Sequence, residues 1–75
     1  MNLSHGLHPV KELNAAGRPA LEIGDTIFYV TDDSALLRGK VRDVPSEREI
    51  VVADVHEPHN TIHPAAVLAA YRNPR

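Results

Sequence analysis

The stretch from Gly24 to Val55 constrains the fold more than any other part of this chain. It contains three runs rich in β-branched, aliphatic and aromatic residues, separated by polar turns. Such runs predict β-strands, and the first, from Thr26 to Val30, is apolar on both faces. A strand of that kind is covered on both sides or presents one face to a partner. The three runs read TIFYV, LLRGKVRDV and REIVVADV.

The second and third runs predict a hairpin with its turn at 44–47, because Pro45 suits the second position of a type I turn. The turn fixes the register, and each pair of opposite charges beside it would contribute about 0.2–1 kcal/mol. A slip by one residue would reverse the two faces. The predicted register places Arg42 opposite Glu49, Asp43 opposite Arg48, Val41 opposite Ile50 and Gly39 opposite Val52.

This register divides the hairpin into a core face and a second face, the hairpin face. The core face consists of Leu37, Gly39, Val41, Ile50 and Val52. The hairpin face is the candidate binding surface, since it combines charged and apolar side chains. It carries a basic stripe of Arg38, Lys40 and Arg42, followed by an apolar end of Val51, Ala53 and Val55.

The flanking segments predict two short helical pieces. Pro9 suits the first position of a helix and Gly17 the residue just past its end, so a short N-terminal helix is expected between them. A short last strand is expected at 61–63. From Pro64, an alanine-rich helix or helical turn is expected. Its buried side would be formed by Val67, Leu68 and Tyr71.

The length of 75 residues allows one domain with a small core. We expect residues 1–8 to form a flexible leader and 9–75 to form the domain, with a barrel core over 22–68. Short strands and a glycine inside the second strand favour a strongly twisted sheet rolled into a partial barrel. The expected fold class is mainly β: a partial barrel of four to five short antiparallel strands, with a short N-terminal helix and a C-terminal helical turn.

The middle of the chain resembles the small SH3-like barrels of the Tudor and KOW kind. Such barrels often have Gly-Asp before the first strand, here Gly24-Asp25, and Gly-x-Val in a bent second strand, here at 39–41. They close with a short strand, a proline and a helical turn, here at 62–67. The resemblance covers 22–68 and implies a binding or assembly module rather than an enzyme. The resemblance does not indicate a ligand. A methyl-lysine reader needs an aromatic cage, and this chain has only three aromatic residues from which to build one: Phe28, Tyr29 and Tyr71.

The composition argues against several classes of function. The chain has no cysteine, which excludes disulfides, thiolate metal sites and a cysteine nucleophile, and favours a reducing, cytoplasmic setting. No apolar run approaches the ~20 residues of a membrane-spanning helix, so no membrane partner is expected. The net charge of −2 argues against dedicated nucleic-acid binding, which needs an excess of Lys and Arg.

The hairpin face leaves two questions open. The basic stripe would bind phosphate or an acidic partner, or else Glu47 and Glu49 would neutralise it, and the predicted register favours neutralisation. The apolar end would be covered by the N-terminal helix or by another molecule. Cover by the helix is favoured, although a domain with a small core gains stability from a partner.

Two further groups of residues have the composition of metal sites. His56, His59 and His63 supply imidazoles of the kind that Zn²⁺ prefers, but their loose spacing favours exposed loop histidines over a metal site. Asp32 and Asp33 are interpreted as turn residues rather than ligands of a divalent cation. No cofactor is therefore expected.

No pattern in the sequence links a nucleophile to a base, so the chain is not expected to be an enzyme. The expected function is a non-catalytic protein-interaction or assembly module. Such a module would bind a protein, or a second copy of itself, through the hairpin face and the edge strands. The alternatives are weak nucleic-acid binding through the basic stripe and histidine-based metal binding.

Overall fold

The computed structural model describes residues 6–73, which form one open antiparallel sheet of six strands. The strands are β1 (His8–Pro9), β2 (Thr26–Val30), β3 (Leu36–Ser46), β4 (Glu49–Ala53), β5 (Asn60–Ile62) and β6 (Val67–Arg72). Their order is β1-β6-β2-β3-β4-β5, so β2 to β5 form a meander and β6 returns to pair with β2. The mainly-β prediction is confirmed. The described sheet is not a closed barrel, because β1 and β5 form two separate edges.

The core lies on one face of the sheet, the inner face. Its side chains come from four strands, and none is more than 7% exposed. Burying one large apolar side chain stabilises a fold by about 1.5–3 kcal/mol. No α-helix within 6–73 covers this face, and Val10 and Leu21, which lie outside the strands, pack against the core. The core consists of Ile27, Tyr29, Val41, Ile50, Val52 and Ala70.

The hairpin of β3 and β4 has its predicted faces but not its predicted register. Val41 lies opposite Val52 rather than Ile50, a displacement of two residues. Because side chains alternate with a period of two, the core face is preserved, and these three residues are each at most 1% exposed. The turn falls at 47–48, since β3 continues past Pro45 and contains two register shifts.

The two charge pairs predicted beside the turn are wrong, because they depended on the predicted register. In the described residues, the ion pairs lie elsewhere and join Arg72 to Glu22 and Asp25. The observed cross-strand partners are Val51 for Asp43 and Ser46 for Glu49, in place of Arg48 and Arg42.

The predicted N-terminal helix is wrong, because residues 12–20 fold into a small hairpin, the N-terminal hairpin. The Asn14 N–H donates to the Arg18 carbonyl at 2.8 Å, and the Gly17 N–H donates to the Asn14 carbonyl at 3.0 Å. The Asn14 side chain accepts two more bonds, from the N–H groups of Ala16 and Arg18. Gly17 has a φ of 77°, which makes it the left-handed residue of a hairpin loop rather than the end of a helix.

The predicted C-terminal helical turn is present but short. A 3₁₀ turn spans Pro64–Ala66, and His63 Nδ1 caps it by accepting the Ala65 N–H at 3.0 Å. The chain then enters β6 instead of continuing as a helix, because β6 pairs with both β1 and β2. Leu68, expected on the buried side of a helix, is 66% exposed in this strand.

The described residues begin within the predicted leader. Residues 1–5 lie outside them, while His8 lies opposite Arg72 in the pairing of β1 with β6. Within 6–73, no helix has the length and hydropathy that are needed to cross a membrane.

A buried ion pair ties the start of β2 to the end of β6. Asp25 is 1% exposed, and its carboxylate accepts hydrogen bonds from Arg72 Nε at 2.8 Å and Nη2 at 2.9 Å. The same carboxylate accepts the Glu22 N–H at 2.8 Å, and Arg72 also donates to the Ala20 carbonyl at 2.8 Å. The bonds to Asp25 raise the pKa of Arg72 above its usual value. A fully bonded pair of this kind fixes the geometry of the two strand ends.

Candidate functional site

The outer face of the sheet, opposite the core, carries large apolar side chains. Val30 lies opposite Leu36 in the pairing of β2 with β3, and the two are 36% and 61% exposed. Phe28 lies two residues from Val30 on the same face, and Tyr71 of β6 packs against Phe28. Monomeric proteins seldom expose a contiguous apolar surface unless it binds something. We call this surface the outer patch: Phe28, Val30, Leu36 and Tyr71.

Phe28 and Tyr71 form the half-buried end of the outer patch. Their ring centroids are 6.1 Å apart and the rings are nearly perpendicular, at 88°, an arrangement that aromatic quadrupoles favour. With Leu7 and Pro9 they line an open depression of about 370 Å³. Tyr29, the third aromatic residue, is fully buried in the core. The three rings therefore do not converge into an aromatic cage for a cationic ligand.

The basic stripe borders the outer patch, and its first two members lie opposite Phe28 and Thr26 on the outer face. Its third member is exposed beside a register shift of β3. Within the described part of the chain, no ion pair joins the stripe to an acidic side chain. Glu47 and Glu49 therefore form no ion pair with the stripe in this part of the chain, because the register on which that expectation depended is wrong.

The apolar end of the hairpin face has no N-terminal helix above it. Ala53 lies opposite Lys40, Val51 lies opposite Asp43, and both apolar residues are half-buried in β4. Val55 lies beyond the end of β4 and is 89% exposed. The structure thus brings Val51 and Ala53 beside the basic stripe and places Val55 outside the sheet.

The structure does not bring together the three histidines of the metal hypothesis. His56 and His59 are exposed in the loop before β5, while His63 caps the 3₁₀ turn. In the described part of the chain, no group of three or more His, Cys, Asp or Glu side chains is arranged to hold a metal ion. Asp33 accepts the Thr31 hydroxyl, a hydrogen bond that lowers the pKa of Asp33 and agrees with the turn interpretation.

A polar contact joins the core to the loop after β4. The Tyr29 hydroxyl donates to the Asp54 carboxylate, which also accepts the N–H groups of His56 at 2.7 Å and Glu57 at 2.9 Å. These hydrogen bonds lower the pKa of Asp54, and the bond from Tyr29 has the largest effect. The pKa of Tyr29 is raised to about 12, mainly because the side chain is buried. The hydrogen bond to Asp54 and the negative charge of Asp54 raise it further. A phenol that keeps its proton so firmly is a poor general base, so we interpret this contact as structural.

The Tyr29 hydroxyl is expected to make the stability of the fold fall at alkaline pH. An unfolded tyrosine loses its proton near pH 10, whereas the folded protein holds the Tyr29 proton to about pH 12. The stabilisation is complete below pH 10 and is lost as the pH rises to about 12. Urea midpoints measured between about pH 8 and 11 should fall less steeply in Tyr29→Phe than in the wild type. Tyr71→Phe is the control, and an equally steep fall in both variants would contradict the assignment.

Comparisons with protein-family models, with curated proteins and with solved structures give no match to this chain. The function therefore has to be inferred from the geometry of the chain itself. In the described residues, that geometry offers an apolar surface bordered by cations, together with polar contacts that serve turns and caps. The outer patch is accordingly the candidate functional site.

The sequence carries one signal for the outer patch, since β2 is apolar on both faces. Ile27 and Tyr29 point into the core, which leaves Phe28 and Val30 on the opposite side. The contribution of Tyr71 depends on the pairing of β6 with β2, which no local pattern indicates.

Proposed function

We propose that this chain is a non-catalytic protein-interaction or assembly module of the small SH3-like type, which binds its partner through the outer patch. The observation that carries the proposal is the pairing of Val30 with Leu36, two large apolar side chains exposed side by side on a sheet. The aromatic residues next to them are of the type enriched at interface centres. Because these side chains already lie on paired strands, binding a partner costs little conformational entropy of the backbone.

The SH3-like part of the proposal is supported by the order of the strands. β2 to β5 follow one another as a meander, and the 3₁₀ turn leads β6 back to β2. Gly39, in the second strand of the meander, lies where a neighbouring strand approaches closely. A Cβ on Gly39 would be 3.0 Å from the Ala53 carbonyl oxygen. A glycine at such a position is typical of a strongly bent strand.

The outer face is a better docking surface than the edges of the sheet. β1 has two residues, one of which is Pro9, and proline has no backbone N–H. β5 has three residues and lies between Pro58 and Pro64. Short edge strands and prolines are features by which proteins prevent the addition of a further strand. We therefore assign the partner to the outer patch and not to the edge strands.

A photo-crosslinking amino acid placed at Leu36 tests this proposal in cells of the source organism. We expect discrete adducts, because partner atoms would lie against this side chain. Leu13, which is 64% exposed in the N-terminal hairpin, is the matched control and should give none. An adduct of twice the chain mass would indicate self-association, which the proposal includes. No discrete adduct at Leu36, or the same adducts at Leu13, would contradict the proposal.

Weak nucleic-acid binding is the second candidate function, and the basic stripe is the observation that favours it. Because no ion pair neutralises the stripe within the described residues, phosphates have access to it. Salt-dependent binding of an oligonucleotide, lost in Arg38→Glu, is the result that this function requires. In either case we place the module in the cytoplasm, since a chain without cysteine suits a reducing compartment.

A further inference from the structure

We infer that the partner of the outer patch is an acidic peptide segment that carries large apolar side chains. The inference rests on the function proposed above and specifies the chemistry of the partner. Two properties of the surface lead to it: a row of cations without ion-pair partners in the described residues, and an exposed aliphatic pair, Val30 and Leu36, that offers no surface for base stacking.

The first two residues of the basic stripe run along the border of the outer patch at a regular spacing. Arg38 and Lys40 are two residues apart on one strand, so their side chains emerge about 6.8 Å apart on the same face. Arg38 lies opposite Phe28 and two residues from Leu36. A peptide whose apolar side chain rests on the patch therefore has its neighbouring residues beside the guanidinium group. Carboxylates at those positions would form charge-assisted hydrogen bonds, and arginine can make two with one carboxylate.

The acidic side chains nearest the stripe are engaged in local hydrogen bonds. Asp43, which follows the stripe in β3, accepts the N–H of its neighbour Val44 at 2.8 Å. Asp54, which follows β4, accepts the Tyr29 hydroxyl. Both carboxylates keep their charge, but the side chains directly opposite Phe28 and Thr26 are Arg38 and Lys40, so the border of the outer patch along β3 is basic even though the net charge of the chain is −2. A positive surface attracts an acidic partner and disfavours a basic one.

The aliphatic character of the most exposed part of the outer patch favours a peptide over a nucleic acid. Proteins that bind single strands stack bases on the faces of aromatic side chains. Here Phe28 and Tyr71 pack edge to face, and Leu7 and Pro9 flank them. The remainder of the outer patch is aliphatic and offers no surface for stacking.

A second copy of the chain fits the surface less well than an acidic segment does. A two-fold dimer through the outer patch would apply the same surface to itself and would bring two basic stripes into one interface. Like charges placed together in an interface are destabilising. An acidic segment supplies the opposite charge to the same surface.

An NMR titration with a pair of peptides tests the inference. Both peptides have about twelve residues with Leu and Phe at the same positions, and the intervening residues are Glu in one and Lys in the other. The acidic peptide should shift the amide signals of Leu36 and Arg38, and its affinity should fall about threefold or more between low salt and ~0.5 M salt. Arg38→Glu should weaken binding about tenfold or more. Arg48→Glu, in the exposed turn between β3 and β4, is the matched control and should not.

Each of the other outcomes overturns the inference. Equal binding of the two peptides at the outer patch would show that charge does not select the partner, and would leave the proposed function standing. No shift at the outer patch with either peptide would contradict the proposed function as well. Tighter binding of oligothymidylate than of the acidic peptide would assign the surface to nucleic acid. Shifts of the same signals with protein concentration alone would identify a second copy as the occupant.

Discussion

Replacing Arg72 with methionine is expected to destabilise the fold by about 3–5 kcal/mol, a large part of the stability of a small domain. The Arg72 guanidinium supplies two of the hydrogen bonds that the buried Asp25 carboxylate accepts. Methionine preserves much of the apolar packing of the arginine stem but leaves a carboxylate at 1% exposure without its cation. Urea denaturation of the two proteins measures the difference in the free energy of unfolding.

Two further variants separate the loss of this ion pair from general damage. Arg48→Met removes a cation from the exposed turn and should change stability by less than about 0.5 kcal/mol. Adding Asp25→Asn to Arg72→Met removes the unpaired charge and should recover part of the lost stability. A loss below about 1 kcal/mol in Arg72→Met alone would mean that the pair does not hold the ends of β2 and β6 together.

The strands of the hairpin and its two faces can be predicted from the local pattern. The alternation of charged with apolar residues along 37–42 determines which side is buried, and Val41 is buried as expected. The register cannot be predicted in the same way, because Pro45 suits both a turn and an irregular strand. The structure keeps Pro45 in β3 next to a register shift, where the missing N–H is tolerated. The charge pairs of the hairpin depended on that choice.

The two ends of the fold depend on contacts between residues that are distant in the sequence. Asn14 and Gly17 are compatible with the end of a helix and with a hairpin loop, and the pairing around them favours the hairpin. The alanine-rich segment from Val67 to Arg72 has some helical propensity. It is nevertheless a strand, because it lies between β1 and β2 and pairs with both. Long-range pairing overrides local propensity in both segments.

The residues of the candidate site also differ in whether local pattern or long-range pairing places them. Alternation within one hairpin predicts that Lys40 and Ala53 share a face, and the structure places them opposite each other. The absence of ion pairs between the basic stripe and Glu47 or Glu49 in the described residues follows from the register, which the sequence does not reveal. Tyr71 reaches Phe28 only because β6 returns to β2. Site residues from one strand pair are predictable, whereas those joined by the closing strand are not.

Replacing Gly39 with valine is expected to destabilise the fold by about 2–3 kcal/mol, and with alanine by about 1 kcal/mol. A Cβ at this position would lie 3.0 Å from the Ala53 carbonyl oxygen and 3.2 Å from Tyr29 Cε1. Neither neighbour moves freely, because Ala53 is fixed by strand pairing and Tyr29 is fully buried. Gly6→Ala is the control, since none of the described residues has an atom within 4 Å of its Cβ position, and its urea midpoint should match the wild type.

The same valine should also change the titration of Tyr29. The Tyr29 ring lies over Gly39, and its hydroxyl reaches Asp54 just past the end of β4. Valine displaces the ring and weakens that hydrogen bond, so the pKa of Tyr29 should fall from about 12 toward its ordinary value near 10. In a Tyr71→Phe background, Tyr29 is the remaining tyrosine, and the phenolate absorbance reports on it alone. A Tyr29 pKa that stays near 12 in folded Gly39→Val would contradict the argument that the missing Cβ makes room for this ring.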